Sequence, residues 1–154
     1  MSTEKESAQL AEWDDQKSFL TAGDAVFTLV STATSTRYTF RIQRPKPRGD
    51  EDVSNKWFAK LLAGPDNLRD YQYCGMLLRE GESFKYIVTR AAKLSRDTAP
   101  QKALAWIAMH LSADKPFPAG LEFWHVGRCG ACGRALTVPE SIANGLGPVC
   151  AGRV

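Results

Sequence analysis

The last thirty residues, HVGRCGACGRALTVPESIANGLGPVCAGRV, carry three of the chain's four cysteines and one of its two histidines. Beyond Gly127 their larger apolar side chains are only Leu136, Val138, Ile142, Leu146, Val149 and Val154. A segment so poor in apolar bulk cannot hold itself together by burial, and it calls for a staple. The candidate ligands read His125-x3-Cys129-x2-Cys132-x17-Cys150. Two thiolates three residues apart reach one tetrahedral ion only where the backbone curls back, and Gly127, Gly130 and Gly133 permit that curl. Gly145, Gly147 and Pro148 bend the path to Cys150. Three cysteines leave one position of a structural zinc to fill. His125, one short strand-end from the Cys-x2-Cys turn, is the expected fourth ligand, its second ring nitrogen satisfied by a carbonyl or carboxylate. Cys74, between aromatic residues in YQYCGM, is the rival, although burial as a structural thiol is the commoner fate of such a residue. A structural zinc contributes on the order of 10–16 kcal/mol of apparent binding free energy, ample to order such a piece. A Cys129–Cys132 redox disulfide would need a βαβ setting, which the chain does not offer. A catalytic ion would keep an open position beside an acid, but Glu140, the one carboxylate of the segment, follows Pro139 at an apparent helix start.

The stretches CGACGR (129–134), LTVPES (136–141) and GLGPVCA (145–151) resemble the signature of an uncharacterised zinc-binding family of bacteriophages and actinobacteria. The likeness covers about 30 residues. It implies a phage or prophage origin and one zinc ion on Cys129, Cys132, Cys150 and His125. It implies no activity.

Upstream, DAVFTLVSTATSTRYTFRIQR reads as a hairpin: Tyr38, Phe40 and Ile42 alternate with Arg37, Thr39, Arg41 and Gln43, so one face is buried and the other is polar and basic. Residues 44–56, RPKPRGDEDVSNK, form a loop, WFAKLL gives a third strand, and Gly64-Pro65-Asp66-Asn67 a turn. DYQYCGMLLRE and SFKYIVTR make a second hairpin around Gly81-Glu82. The period then changes. Ala103, Trp106, Ile107 and His110 follow helical spacing behind Pro100, with Thr98 or Asp97 as cap and His110 as a surface or cap residue near the C-terminal end. LEFWHV is a further strand. The expected fold class is α+β, a mostly antiparallel β-sheet with one main helix and a C-terminal zinc knuckle of treble-clef or ribbon-like form. The expected division is 1–22 as an acidic tail or short, weakly docked helix (Ser7–Phe19), 23–124 as the core domain, and 125–154 as the zinc module.

No apolar run approaches the roughly 20 residues that span a bilayer, and MSTEKESAQLAEWDDQ is neither a signal nor a transit peptide. A cytoplasmic setting, that of a bacterial host for a phage protein, follows as an expectation, with no membrane partner. The net charge of +3 conceals an asymmetry: residues 1–24 hold six acids and two lysines, leaving a basic remainder. Such a body invites a polyanionic partner. Catalysis is not expected: no Ser-His-Asp set, no GxxxxGK loop and no histidine beside a second metal site is visible. The expected function is non-enzymatic binding of DNA or RNA through Arg37, Arg41, Arg44, Lys46, Lys60 and Lys85 on a sheet face and adjoining loop, with Arg128 and Arg134 beside the knuckle. Trp57, Tyr71 and Tyr73 are available to stack on bases where exposed. The alternative is a protein-binding inhibitor or modulator of a host defence or transcription factor. Oligomeric state leaves no trace in the sequence.

Overall fold

The computed structural model describes residues 8–64 and 70–125. Cys129, Cys132, Cys150, Arg128 and Arg134, and the knuckle expected around them, lie outside the described residues. Along the chain the elements are β1 (Ala8–Gln9), α1 (Trp13–Leu20), β2 (Asp24–Ser31), β3 (Thr36–Gln43), β4 (Lys56–Leu62), β5 (Tyr71–Glu80), β6 (Ser83–Ile87), α2 (Ala99–Ala113) and β7 (Leu121–His125). This is an α+β fold built on antiparallel ladders. Its described residues fall into two compact units, one drawn from Met1–Phe40 and Phe117–Val154, the other from Arg41–Pro116.

In the first unit the strands lie in the order β1-β7-β2-β3. β7 runs antiparallel to both neighbours, with Leu29 opposite Phe123 and both Ala8 and Phe27 opposite His125. The rings of Phe27 and Phe123 stack at 4.8 Å, nearly parallel, and Phe19 of α1 meets Phe123 edge-on at 5.9 Å. Phe40 closes the cluster 5.9 Å from Phe27. Full burial of one such ring contributes about 1.5–3 kcal/mol. Thr28 and Thr39 share a hydroxyl hydrogen bond of 2.7 Å across β2 and β3, which satisfies two polar groups in a largely apolar pair of strands.

The N-terminal stretch departs from expectation. Its helix begins at Trp13 rather than Ser7, because residues 8–9 pair with β7. Glu12 stands at the cap position and Asp14 and Asp15 occupy the first turn, where the helix dipole favours negative charge. Nor is the docking weak: Leu10, Phe19 and Leu20 are fully buried, and the Gln16 side chain donates to the Leu10 carbonyl at 2.6 Å.

In the second unit the end of β3 lies beside β4, followed by β5 and β6. α2 packs on the face of β6 that carries Phe84 and Tyr86. Ser112 Oγ accepts from the Phe84 amide at 2.6 Å and donates to its carbonyl at 2.9 Å, while the Tyr86 hydroxyl donates to Gln101 Oε1. Trp57, Leu77, Leu104, Ile107 and Leu111 form the core. Register shifts between Ala59 and Lys60, where Gly75 and then Tyr73 are the partners, so Cys74 is an extra residue in β5. The bulge lifts the Cys74 carbonyl out of the ladder, and Gln101 Nε2 takes it up at 2.8 Å. Glycine is required beside it, because a Cβ on Gly75 would overlap the Ile87 carbonyl oxygen and the Tyr86 hydroxyl.

Two helix-end details also differ from the expectation. Thr98 occupies the cap position of α2, yet its hydroxyl donates backward to the Ser95 carbonyl at 2.8 Å. His110 is buried rather than on the surface. The chain reverses at Asp114, which adopts φ 51°, and this brings the Lys115 carbonyl 2.9 Å from His110 Nδ1, while the imidazole packs 4.2 Å from Trp106. Among the described residues no helix is long and apolar enough to cross a membrane.

Candidate nucleic-acid interface and metal ligands

Because side chains alternate across a strand, the register of β4, β5 and β6 sorts their residues into two faces. On one face Trp57, Leu77 and Tyr86 form a cross-strand row. On the other, Lys56, Leu78 and Lys85 form one row and Phe58, Met76 and Ile87 the next. Beyond the bulge Lys60 stands opposite Tyr73, and the Tyr73 ring meets Phe58 edge to face at 5.8 Å, so the same face continues. At the end of β3 the Arg41 guanidinium lies 5.8 Å from the Tyr71 ring centroid, and Lys60 Nζ donates to Gln43 Oε1 at 3.2 Å. Within this unit, and among the described residues, α2 covers the face of Phe84 and Tyr86. The opposite face keeps Phe58, Tyr71, Tyr73, Met76 and Leu78 half-buried, with Lys85 and Ile87 exposed.

Two lysines of this face sit in exposed ion pairs. Lys85 Nζ sits 3.0 Å from Glu80 and Lys56 Nζ 4.0 Å from Glu51, and all four side chains are substantially exposed. Pairs of this kind contribute at most about 1 kcal/mol, so either ammonium can leave its carboxylate at little cost.

Arg41, Lys60 and Lys85 therefore lie on one face, spread from the end of β3 to β6. Among the described residues, the other expected cations lie outside these rows. Arg44 lays its guanidinium 5.1 Å over the Trp57 ring and donates to the Ser54 carbonyl at 3.3 Å, so its charge is tied to the core indole. Lys46 is exposed in the loop after β3. Arg37 is exposed on the part of β3 that belongs to the first unit. Among the aromatics, Trp57 is 1% exposed and is not available to stack on a base. Phe58 takes that position. The stretch Lys56-Trp57-Phe58-Ala59-Lys60 carries the signal in its alternation, but placing Lys56 in the loop hid the row it shares with Lys85.

A cavity of about 480 Å³ opens onto the same face, between the Pro45–Arg48 stretch and Lys56, Phe58 and Met76, with Glu51 at its margin. Tyr73 lines a second cavity of about 610 Å³, together with Asp70, Gln72 and Lys93.

Of the expected metal ligands, only His125 is among the described residues. It ends β7, is fully buried, and its ring centroid lies 5.9 Å from that of Phe19. Cys74 belongs to the second unit, is fully buried, and its thiol donates to the Gln72 carbonyl at 3.5 Å. Burial pushes that thiol up to about 11, which keeps it protonated and apolar in character at neutral pH. Burial likewise holds the Tyr86 phenol well above its usual range, with Cys74 and Tyr73 adding to the shift. Among the described residues no group of three or more His, Cys, Asp or Glu side chains is arranged to hold a metal ion.

Residues 119–154 match a family of unknown function (DUF6011). No curated protein and no solved structure matches the chain. The matched stretch begins just before β7 and spans every candidate zinc ligand except Cys74.

Proposed function

We propose that this chain is a non-enzymatic nucleic-acid-binding protein whose second unit presents the contact surface on the outer face of β4, β5 and β6. The observation that carries this reading is the interleaving of Lys56, Lys60, Lys85 and Arg41 with Phe58, Tyr71 and Tyr73 on one sheet face. Cations meet phosphates, and rings spaced between them meet bases. Lys46 and Arg48 extend the positive charge along the adjoining loop.

The same reading gives Cys129, Cys132, Cys150 and His125 a structural zinc, with Arg128 and Arg134 as flanking phosphate contacts. Two observations support it: His125 is fully buried at the end of a paired strand, and Cys74 is a buried thiol that donates to the Gln72 carbonyl. The likeness of residues 129–151 to phage zinc proteins adds a phage setting, in which such a protein would act inside the host.

The test is a titration of labelled DNA and RNA against the full chain at several salt concentrations. Affinity should fall steeply with salt, by roughly 0.7–0.9 log units per log unit for each phosphate neutralised. Joint replacement Lys56→Glu, Lys60→Glu and Lys85→Glu should reduce affinity at least tenfold while leaving the helix signal intact. Undiminished affinity in that variant removes the sheet face from consideration. Absence of any nucleic-acid binding, with a host protein recovered on the immobilised chain, would replace this reading with the protein-modulator one.

A further inference from the structure

Resting on the nucleic-acid reading above, we propose that the ligand is a single strand, with successive bases stacked on Phe58 and Tyr73 and one nucleotide seated in the cavity between Pro45–Arg48 and the sheet. Three observations carry this. Phe58 and Tyr73 are half-buried and their rings meet edge to face 5.8 Å apart, so they form a ridge rather than isolated exposed rings. Phe58 lines one cavity and Tyr73 the other, so each ring of the ridge borders a recess. The first recess, at about 480 Å³, falls within the range of small-molecule sites, roughly 300–1,000 Å³, and so has room for a nucleoside.

Its chemistry fits one nucleotide and its phosphates. The floor is apolar, from Phe58 and Met76, and the rim carries Lys46, Arg48 and Lys56 against the single acid Glu51. Pro45 and Pro47 stiffen that rim, since each fixes φ and neither has an amide to satisfy. A duplex is a poor occupant, because its bases are stacked on one another and offer no free π-face to a sheet ridge. Unpaired bases offer both faces, and every base has one, so the site should tolerate sequence variation.

The experiment measures anisotropy of a labelled 12-nucleotide single strand, its duplex, and the same strand with abasic sites at alternate positions, against the full chain at low salt. The intact single strand should bind at least tenfold more tightly than either of the others. Phe58→Leu should weaken single-strand binding by about tenfold, Phe58→Tyr should restore most of it, and the helix signal and indole emission should be unchanged in both. Equal affinity for single strand and duplex, or for intact and abasic strands, overturns the stacking proposal while leaving the charged-face reading in place. So does a Phe58→Leu protein that binds as tightly as the parent. If no form of nucleic acid binds, the proposal and the reading beneath it fall together.

Discussion

The side-chain amide of Gln101 donates to the carbonyl of Cys74 at 2.8 Å, joining the first turn of α2 to the bulge of β5. Its second donation, to the Leu94 carbonyl at 3.2 Å, and its acceptance from the Tyr86 hydroxyl make Gln101 the polar centre of the second unit. Gln101 is 1% exposed and its bond to the Cys74 carbonyl is buried, so neither its side-chain amide nor that carbonyl has water as an alternative partner.

Gln101→Leu should therefore destabilise the protein by roughly 2–3 kcal/mol, because it strands the Cys74 carbonyl and the Tyr86 hydroxyl without partners. Urea unfolding followed by the emission of Trp57 and Trp106 reads the change. A shift below about 0.5 kcal/mol would mean that the bulge is held by the ladder alone.

Alkali should weaken the same region. The Cys74 thiol rises from 9.0 to about 11 on folding, chiefly through burial. Above pH 9 the unfolded chain releases this proton while the folded chain retains it. Stability from this group is thus fully present below pH 9 and lost as pH climbs through about 11. The raised Tyr86 phenol continues the loss at higher pH, from its usual value of 10.0 upward. Thermal melts between pH 8 and 11 should show the decline in the parent, a shallower one in Cys74→Ala between pH 9 and 10, and a shallower one in Tyr86→Phe above pH 10.

Zinc content divides the fourth-ligand candidates. Purified protein should carry one zinc per chain in native mass spectrometry, and Cys129→Ser should lose it. His125→Ala should also lose it, while His125→Cys should retain it by restoring a soft donor. Cys74→Ala should retain it. A protein that holds zinc in His125→Ala and loses it in Cys74→Ala would assign the site to Cys74.

Phe123→Ala should cost about 3–5 kcal/mol, the range for deleting a buried ring. Phe123 touches Phe19, Phe27 and Phe117 at centroid distances of 5.9, 4.8 and 6.4 Å, so its loss opens a cavity that no single neighbour can fill. Calorimetry on the full chain measures it, and a loss under 1.5 kcal/mol would mean that the ring cluster collapses freely onto the gap.

The strands of both hairpins, the loop between them and the second helix were legible in the residues because each is written in local periods. Phe40 and Ile42 are buried two residues apart, Gly81 takes the φ of 64° that its turn requires, and Pro100 sits in the first turn of α2. Period alone does not say which face turns inward. Trp57 and Phe58 are adjacent and equally apolar in pattern, and only the helix packed against one side makes Trp57 core and Phe58 a surface ridge.

What the sequence by itself determined was the α+β content, the turn at Gly81, the basic alternation along β3 and the spacing of His125, Cys129, Cys132 and Cys150. The tertiary structure alone decided that β7 returns to lie between β1 and β2, that residues 8–20 belong to the first unit's core, and that a bulge at Cys74 turns Tyr73 onto the face of Phe58 and Lys60. The physical reason is range. Periodicity and turn chemistry act over a few residues, whereas strand order, register and the choice of buried face are settled by pairings between segments far apart in the chain, whose energies appear only when the surfaces meet.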